Sequence, residues 1–424
     1  MMKRLLVYCH DTYGLGNIRR MLAICEHLLV SIPDLLILIV TGSPMVHGFR
    51  MSPRLDYIKL PCLSRTTGGN YAVKTIGTAL GEAVKLRSEL ILTAVTNFGP
   101  DLLLVDKKPY GVENELQESL AHVQTFLPRA KQVLLLRDIL DSPEATRNAW
   151  EKHGYHNAIR SLYDLVLVVG MPEVFDLREE YRFPAFTAEK VRFCGYIGAK
   201  AGLKSSAVLR KELQVDDRSL IVVTAGGGED GYHLLATYIA GLAWLPAEHN
   251  ITSLIVCGPE MSQGQRAALQ RAAASYPHAQ IHDFCDDMRS YLSTADVIVS
   301  MGGYNTVCEI LSFRKRAIVV PRVKPVGEQW IRAERMARLG LFQVIHPDYL
   351  TPVRLIRALE GALGPWNGDG ASPLQLDMGA LPRISHYIAT LLHDDGRRTW
   401  EPVSRGACIE HFADDDGQGH PAPL

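Results

Sequence analysis

Short apolar runs of strand length alternate with longer segments of helical period along most of this chain, and the alternation starts twice. Strands that are apolar throughout are covered on both faces, which requires helices crossing over a parallel sheet. The first series predicts strands at 4–9, 35–41, 57–60, 102–106, 132–136, 165–169 and 191–194. A second series follows at 220–224, 253–257, 280–284, 297–300, 317–320 and 342–345. The fold class is therefore α/β: two Rossmann-like doubly wound domains facing across a cleft. Ligands of such sheets bind outside the carboxyl ends of the strands.

Residues 198–217 separate the series with a polar, glycine-containing stretch and a short charged helix, which suits an interdomain linker. The expected organisation is an N-terminal domain over 1–205, a C-terminal domain over 206–370, a helix within 371–395 that can pack back on the first domain, and a disordered tail over 396–424. The tail spells D-x-D at Asp414 to Asp416, but a disordered acidic run is no metal site. With 45 Lys plus Arg against 46 Asp plus Glu, the chain has no bulk attraction for nucleic acid or an anionic membrane, so an anionic ligand must meet a local site. Eight scattered cysteines without a C-x-x-C pair read as reduced, buried thiols and a cytoplasmic protein without structural zinc. The N-terminus reads as a first strand rather than a signal peptide. The longest apolar region, 28–40, is broken by Ser31, Pro33 and Asp34, so no transmembrane segment is expected.

The first strand runs into His10-Asp11-Thr12-Tyr13-Gly14-Leu15-Gly16-Asn17, and a helix follows. Gly14 and Gly16 permit a tight turn, and the helix offers its first amides to an anion. An imidazole and a carboxylate at the strand's carboxyl end add a functional signal. The second series opens with Gly226-Gly227-Gly228-Glu229-Asp230-Gly231, which fits G-x-G-x-x-G. The acidic residue that a dinucleotide site places at the end of the next strand is not there, since Glu260 comes late. A phosphate-facing loop fits better than a nicotinamide fingerprint.

The richest segment joins Phe284-Cys285-Asp286-Asp287-Met288, then Ser300-Met301-Gly302-Gly303-Tyr304-Asn305-Thr306 leading to Glu309, then Pro321 to Glu328-Gln329. A strand delivers Ser300 to a two-glycine turn before a helix, so free amides and a hydroxyl converge where a diphosphate could sit. Glu309 falls about one turn into that helix on the same face. A carboxylate there repels phosphate but accepts hydrogen bonds from vicinal ribose hydroxyls.

These segments resemble the C-terminal domain of the family that includes the bacterial peptidoglycan N-acetylglucosaminyltransferase, the GT-B glycosyltransferases of family 28. The resemblance covers about residues 215–345 and reaches the first domain only through its Gly-x-Gly turn. It implies a nucleotide-sugar in the C-terminal domain, an acceptor against the N-terminal one, and no essential metal or other cofactor. It places the base on the main chain at Phe284 and Cys285, the ribose on Glu309, the diphosphate on Gly302, Gly303 and Thr306, and the sugar hydroxyls on Glu328 and Gln329. Many relatives carry Gly-x-Gly-His where this chain has Gly16-Asn17, and Asn17 takes no proton at neutral pH. His10, Asp11 and Asp106 thus become the candidate bases, with Gly14, Gly16, Asn17 and Arg137 on the acceptor side.

The expected function is transfer of a sugar from a UDP-sugar to a hydroxyl acceptor, small or lipid-linked, by an inverting displacement. Contact with a membrane surface stays open. A UDP-sugar 2-epimerase and a noncatalytic nucleotide-sugar-binding protein are the alternatives. Donor incubated alone separates the first of these, since epimerisation needs no acceptor.

Overall fold

A computed structural model describes residues 2–10, 15–65, 70–74, 76–215, 217–228, 230–246, 249–364 and 376–393. Asp11, Gly14 and the tail from Asp394 onward lie outside the described residues.

The strands of the first half are β1 (Lys3–Cys9), β2 (Leu35–Thr41), β3 (Leu55–Lys59), β4 (Leu63–Arg65), β5 (Tyr71–Val73), β6 (Leu102–Asp106), β7 (Lys131–Arg137), β8 (Leu165–Val169) and β9 (Val191–Phe193). Seven of them form one sheet in the order β3-β2-β1-β6-β7-β8-β9, every pair parallel. The antiparallel pair β4 and β5 is an addition that the sequence did not announce. The second half contributes β10 (Ser219–Thr224), β11 (Ile251–Val256), β12 (Ala279–His282), β13 (Val297–Ser300), β14 (Arg316–Val319) and β15 (Gln343–Val344). These form a parallel sheet in the order β12-β11-β10-β13-β14-β15. Every strand read from the sequence is present to within two residues.

Both sheets are doubly wound. In β1, Leu5, Val7 and Cys9 enter one core cluster while Leu6 and Tyr8 enter another, the two-residue period of a strand buried on both faces. Each such aliphatic side chain contributes about 1.5–3 kcal/mol relative to exposure. The first cluster does not stop at the sheet. It continues through Ile18, Met21, Cys25 and Leu28 of the Leu15–Ser31 helix to Tyr304, Val307, Val222 and Ile298 of the second half. The halves thus share a core.

The chain crosses between the halves twice. At the second crossing Ile197 pairs with Gly379 in an antiparallel bridge, and the Tyr196 amide donates to the Asp377 carbonyl at 2.7 Å. The Ala380–His393 helix then packs Ile384, Ile388 and Leu391 against the Leu15–Ser31 helix, where His27 Nδ1 and Ser385 Oγ lie 2.8 Å apart. Among the described residues no helix is long and apolar enough to cross a membrane.

In each sheet the strand order reverses beside the first strand of its half, between β1 and β6 and between β10 and β13. Loops leaving adjacent strands there part to opposite faces and open a crevice. The two crevices face one another.

Candidate functional site

The cleft between the halves has a volume of about 1350 Å³. Its second-half wall is built from three helix starts. The Tyr232–Gly241, Tyr304–Ser312 and Glu328–Arg338 helices have Gly231, Gly303 and Gly327 as N-caps, none with a capping side chain of its own, and at the third the Gly327 amide donates to Asp141 Oδ1 of the first half at 2.9 Å. Elsewhere Ser142, Ser262 and Thr351 cap helices in the usual way, each accepting from an amide of the first turn. Helix starts left without a side-chain acceptor present amides and the positive end of the helix dipole to whatever enters.

The glycines do different things. Gly226 and Gly228 adopt φ of 66° and 96°, so a side chain at either would be strained. At Gly228 a Cβ would also lie 2.5 Å from the Cys257 carbonyl oxygen, so this glycine lets the β10 and β11 loops touch. Gly226, Gly227 and Gly303 line the cleft, whereas Gly302 packs under it, where a Cβ would meet Pro321 at 3.0 Å and Gln329 at 3.3 Å. Its side is filled by protein, and Gly302 is not among the residues that line the cleft.

Phe284, Cys285, Thr306, Glu309, Glu328 and Gln329 all line the cleft. Phe284 is 44% exposed and Cys285 is buried. Burial raises the Glu309 carboxyl above its usual range, and Arg289, whose Nε lies 3.4 Å away, opposes this together with Arg19. Gln329 Oε1 accepts from the Arg322 amide at 3.1 Å.

Glu328 is tied into the other half. Arg137, leaving β7, places Nη1 3.0 Å from Glu328 Oε2, and Arg332 one turn along the same helix lies 3.6 Å away. Burial alone would raise the pKa of Glu328, but Arg137, Arg332, Lys107 and Arg322 outweigh it and bring it down to about 2. A depressed carboxylate stabilises the fold above its ordinary 4.5, and that contribution is lost as pH falls through about 2. At about 1.4 kcal/mol per pH unit it is on the order of 3 kcal/mol. Urea midpoints followed from pH 6 downward should therefore fall more steeply for the wild type than for Glu328→Gln. Parallel curves would show that Glu328 is not the titrating group.

Next to Arg137 stands Asp138, and with Arg332 it makes a pairing the sequence reading missed. Arg332 Nε and Nη2 donate to the two Asp138 oxygens at 2.7 and 2.8 Å, both side chains fully buried. Arg332 Nη1 also donates to the Gly302 carbonyl at 3.2 Å, and its guanidinium lies over the Tyr304 ring at 5.4 Å. Tyr304 in turn donates to the Val169 carbonyl at 3.1 Å. A first-half carboxylate thus holds the second half's glycine turn in place. The signal was present: Gln329, Arg332, Ala333 and Met336 share the buried face of their helix, and a charge in that phase requires a buried partner.

On the first-half wall the two described candidate bases, His10 and Asp106, lie back from the cleft. Asp106 is 1% exposed and bonded to Arg20 at 2.9 Å, so it anchors Arg20 rather than facing an acceptor. His10 is also 1% exposed, and its Nε2 lies 3.3 Å from the Tyr71 hydroxyl on the β4–β5 hairpin. Asn17, on the wall itself, donates from Nδ2 to the His10 carbonyl at 2.8 Å and accepts from Arg20 at 3.4 Å. The Gly16 carbonyl accepts from Asn305 Nδ2 at 3.0 Å across the cleft. Arg137 faces Glu328 and bridges the halves at the cleft. Lys107, directly after β6, adopts a left-handed φ of 74°, a strained conformation of the kind that collects at functional clefts. Among the described residues no group of three or more His, Cys, Asp or Glu side chains is placed to hold a metal ion.

Residues 220–365 match the glycosyltransferase family 28 C-terminal domain. An uncharacterized glycosyltransferase of Methanopyrus kandleri is 24% identical over 211 residues, 48% of this chain and 56% of its own length. The UDP-N-acetylglucosamine–N-acetylmuramyl-(pentapeptide) pyrophosphoryl-undecaprenol N-acetylglucosamine transferase of Glaesserella parasuis is 30% identical over 101 residues, 24% of this chain and 29% of its own. The chain thus spans about half or less of the length of these curated relatives. Among solved structures, Acinetobacter baumannii MurG superposes with a TM-score of 0.60 at 14% identity, over 92% of this chain and 99% of that one. A putative UDP-N-acetylglucosamine 2-epimerase from Listeria monocytogenes reaches 0.63 at 12% identity, over 92% and 96%. Two parallel sheets of matching strand order, a shared cleft and the match over 220–365 make this a chain of the GT-B fold that carries a glycosyltransferase family 28 C-terminal domain and resembles the peptidoglycan N-acetylglucosaminyltransferase family.

Proposed function

We propose that the protein transfers a sugar from a nucleoside diphosphate, a UDP-sugar, to a hydroxyl acceptor held against the first half. The observation that carries the reading is the glycine-capped start of the Tyr304–Ser312 helix on the cleft wall, with Glu309 a turn inside it and the Gly226 to Gly228 loop on the same wall. Amides there suit a diphosphate, and Glu309 suits the ribose. Phe284 and Cys285 border the base, while Glu328 and Gln329 lie toward the sugar. Departure of UDP breaks the anomeric C–O bond and leaves its electron pair on the β-phosphate oxygen. Fixed amides stabilise that charge without reorganising, so the reaction proceeds without a metal. The acceptor oxygen bonds to the opposite face of the anomeric carbon, with inversion, and His10 is our choice for the group that receives its proton. The printed name of the Glaesserella relative supports a UDP-sugar donor and a lipid-linked acceptor.

Calorimetric titration of UDP tests the reading. Glu309→Gln should weaken UDP by about 1.5–3 kcal/mol, because a charge-assisted pair of ribose contacts is lost, while leaving inorganic diphosphate unaffected. Unchanged UDP affinity would return Glu309 to a partner of Arg289 alone. The likeness to the epimerase structure is met by incubating the UDP-sugar without acceptor: a C2 epimer in the product would replace transfer as the activity.

A further inference from the structure

Two helices from different halves lie side by side across the cleft, and their residues step in register. Gly16 of the Leu15–Ser31 helix meets Asn305 of the Tyr304–Ser312 helix at 3.0 Å. Arg19 is three residues beyond Gly16 and Glu309 four beyond Asn305, spacings that keep each on the face already in contact. The guanidinium and the carboxylate therefore face one another one turn further along. Arg19 belongs to the first half, yet the charged groups that act on it, Glu309, Arg289 and Asp286, are all in the second. It lines the same cleft as Glu309, Gly303 and Thr306, and burial lowers its pKa. Arg20, its neighbour, also borders the cleft, but its Nη2 is held by Asp106 at 2.9 Å.

We infer that Arg19 is a first-half contact to the phosphate nearest the ribose, so that the nucleotide is gripped by both halves at once. The inference rests on the donor reading above. If Glu309 holds the ribose hydroxyls, the α-phosphate lies between Glu309 and the amides of Gly303 to Thr306, on the side of the cleft where Arg19 acts on Glu309. Its planar fork suits two phosphate oxygens, and its charge offsets the one that grows on the leaving nucleotide. Arg19 takes no proton.

The test is calorimetry of uridine, UMP and UDP with the full chain, its Arg19→Ala variant and its Arg19→Lys variant. Arg19→Ala should weaken UMP and UDP about ten- to a hundredfold while uridine stays within about twofold. Arg19→Lys should restore part of the loss, because a point charge replaces a fork. Equal losses for uridine and UMP would overturn the inference, since Arg19 would then act by orienting Glu309. Unchanged affinity for all three would overturn it too. A wild-type protein that binds none of the three would overturn the donor reading itself and this inference with it.

Discussion

Removing the Asp138 side chain is expected to destabilise the protein by about 3–5 kcal/mol, because it takes both short carboxylate bonds from the buried Arg332 guanidinium and leaves it Glu328, at 3.6 Å, as its remaining carboxylate. The energy comes from the uncompensated charge, not from the worth of the pair. Breaking one partner of a buried ion pair is costly, whereas replacing both by apolar groups of similar volume is often neutral. Asp138→Ala should therefore shift the denaturation midpoint strongly, while the double variant Asp138→Leu, Arg332→Met should recover most of it. The double variant should still bind UDP less well, since Arg332 also holds the Gly302 carbonyl at 3.2 Å. A double variant as unstable as the single one would show that the site depends on shape and not on charge.

The second large effect is on turnover. His10→Ala should lower kcat by at least about a hundredfold, the low end of what a positioned proton acceptor contributes, with UDP affinity within a few-fold of wild type. Imidazole is the side chain that most readily takes a proton near neutral pH. His10 sits at the carboxyl end of β1, at the strand-order reversal, one residue layer behind Asn17 and in contact with Tyr71. Asp106→Asn is expected to behave differently, losing stability because the buried Arg20 loses its carboxylate. Single-turnover rates and urea midpoints measured on both variants separate the two roles. Full activity in His10→Ala would remove it from the mechanism, and an inactive but fully stable Asp106→Asn would make the aspartate the base.

The strands were legible because their signal is local. Runs such as Leu102 to Asp106 are apolar at every position, which only a sheet covered on both faces explains. The β4–β5 hairpin escaped since its strands are three residues each, with Ser64 and Ala72 at their centres and no apolar run to mark them. The second-half wall was legible for a related reason: glycines, a helix start and Glu309 fall within ten residues of one another in the chain. The cross-half contacts were not. Asp138 and Arg332 are 194 positions apart, and Gly16 and Asn305 are 289 apart, so no spacing within either half carries them. Asp106 illustrates the converse. Its position at a strand end suggested chemistry, but the fold brought Arg20 against it and made it an anchor.

The paired crossings have a mechanical meaning. A single linker is a swivel, free to turn in any direction, but here two passes of the chain lie hydrogen-bonded together, Ile197 beside Gly379 and Tyr196 beside Asp377. Two pins on one line resist twisting, which must break backbone hydrogen bonds, and the shared core with the buried Asp138 and Arg332 pair resists separation of the halves as well. The Gly16 and Asn305 edges are therefore held in one fixed alignment, so the residues that face one another across the cleft are set by the backbone rather than by a ligand.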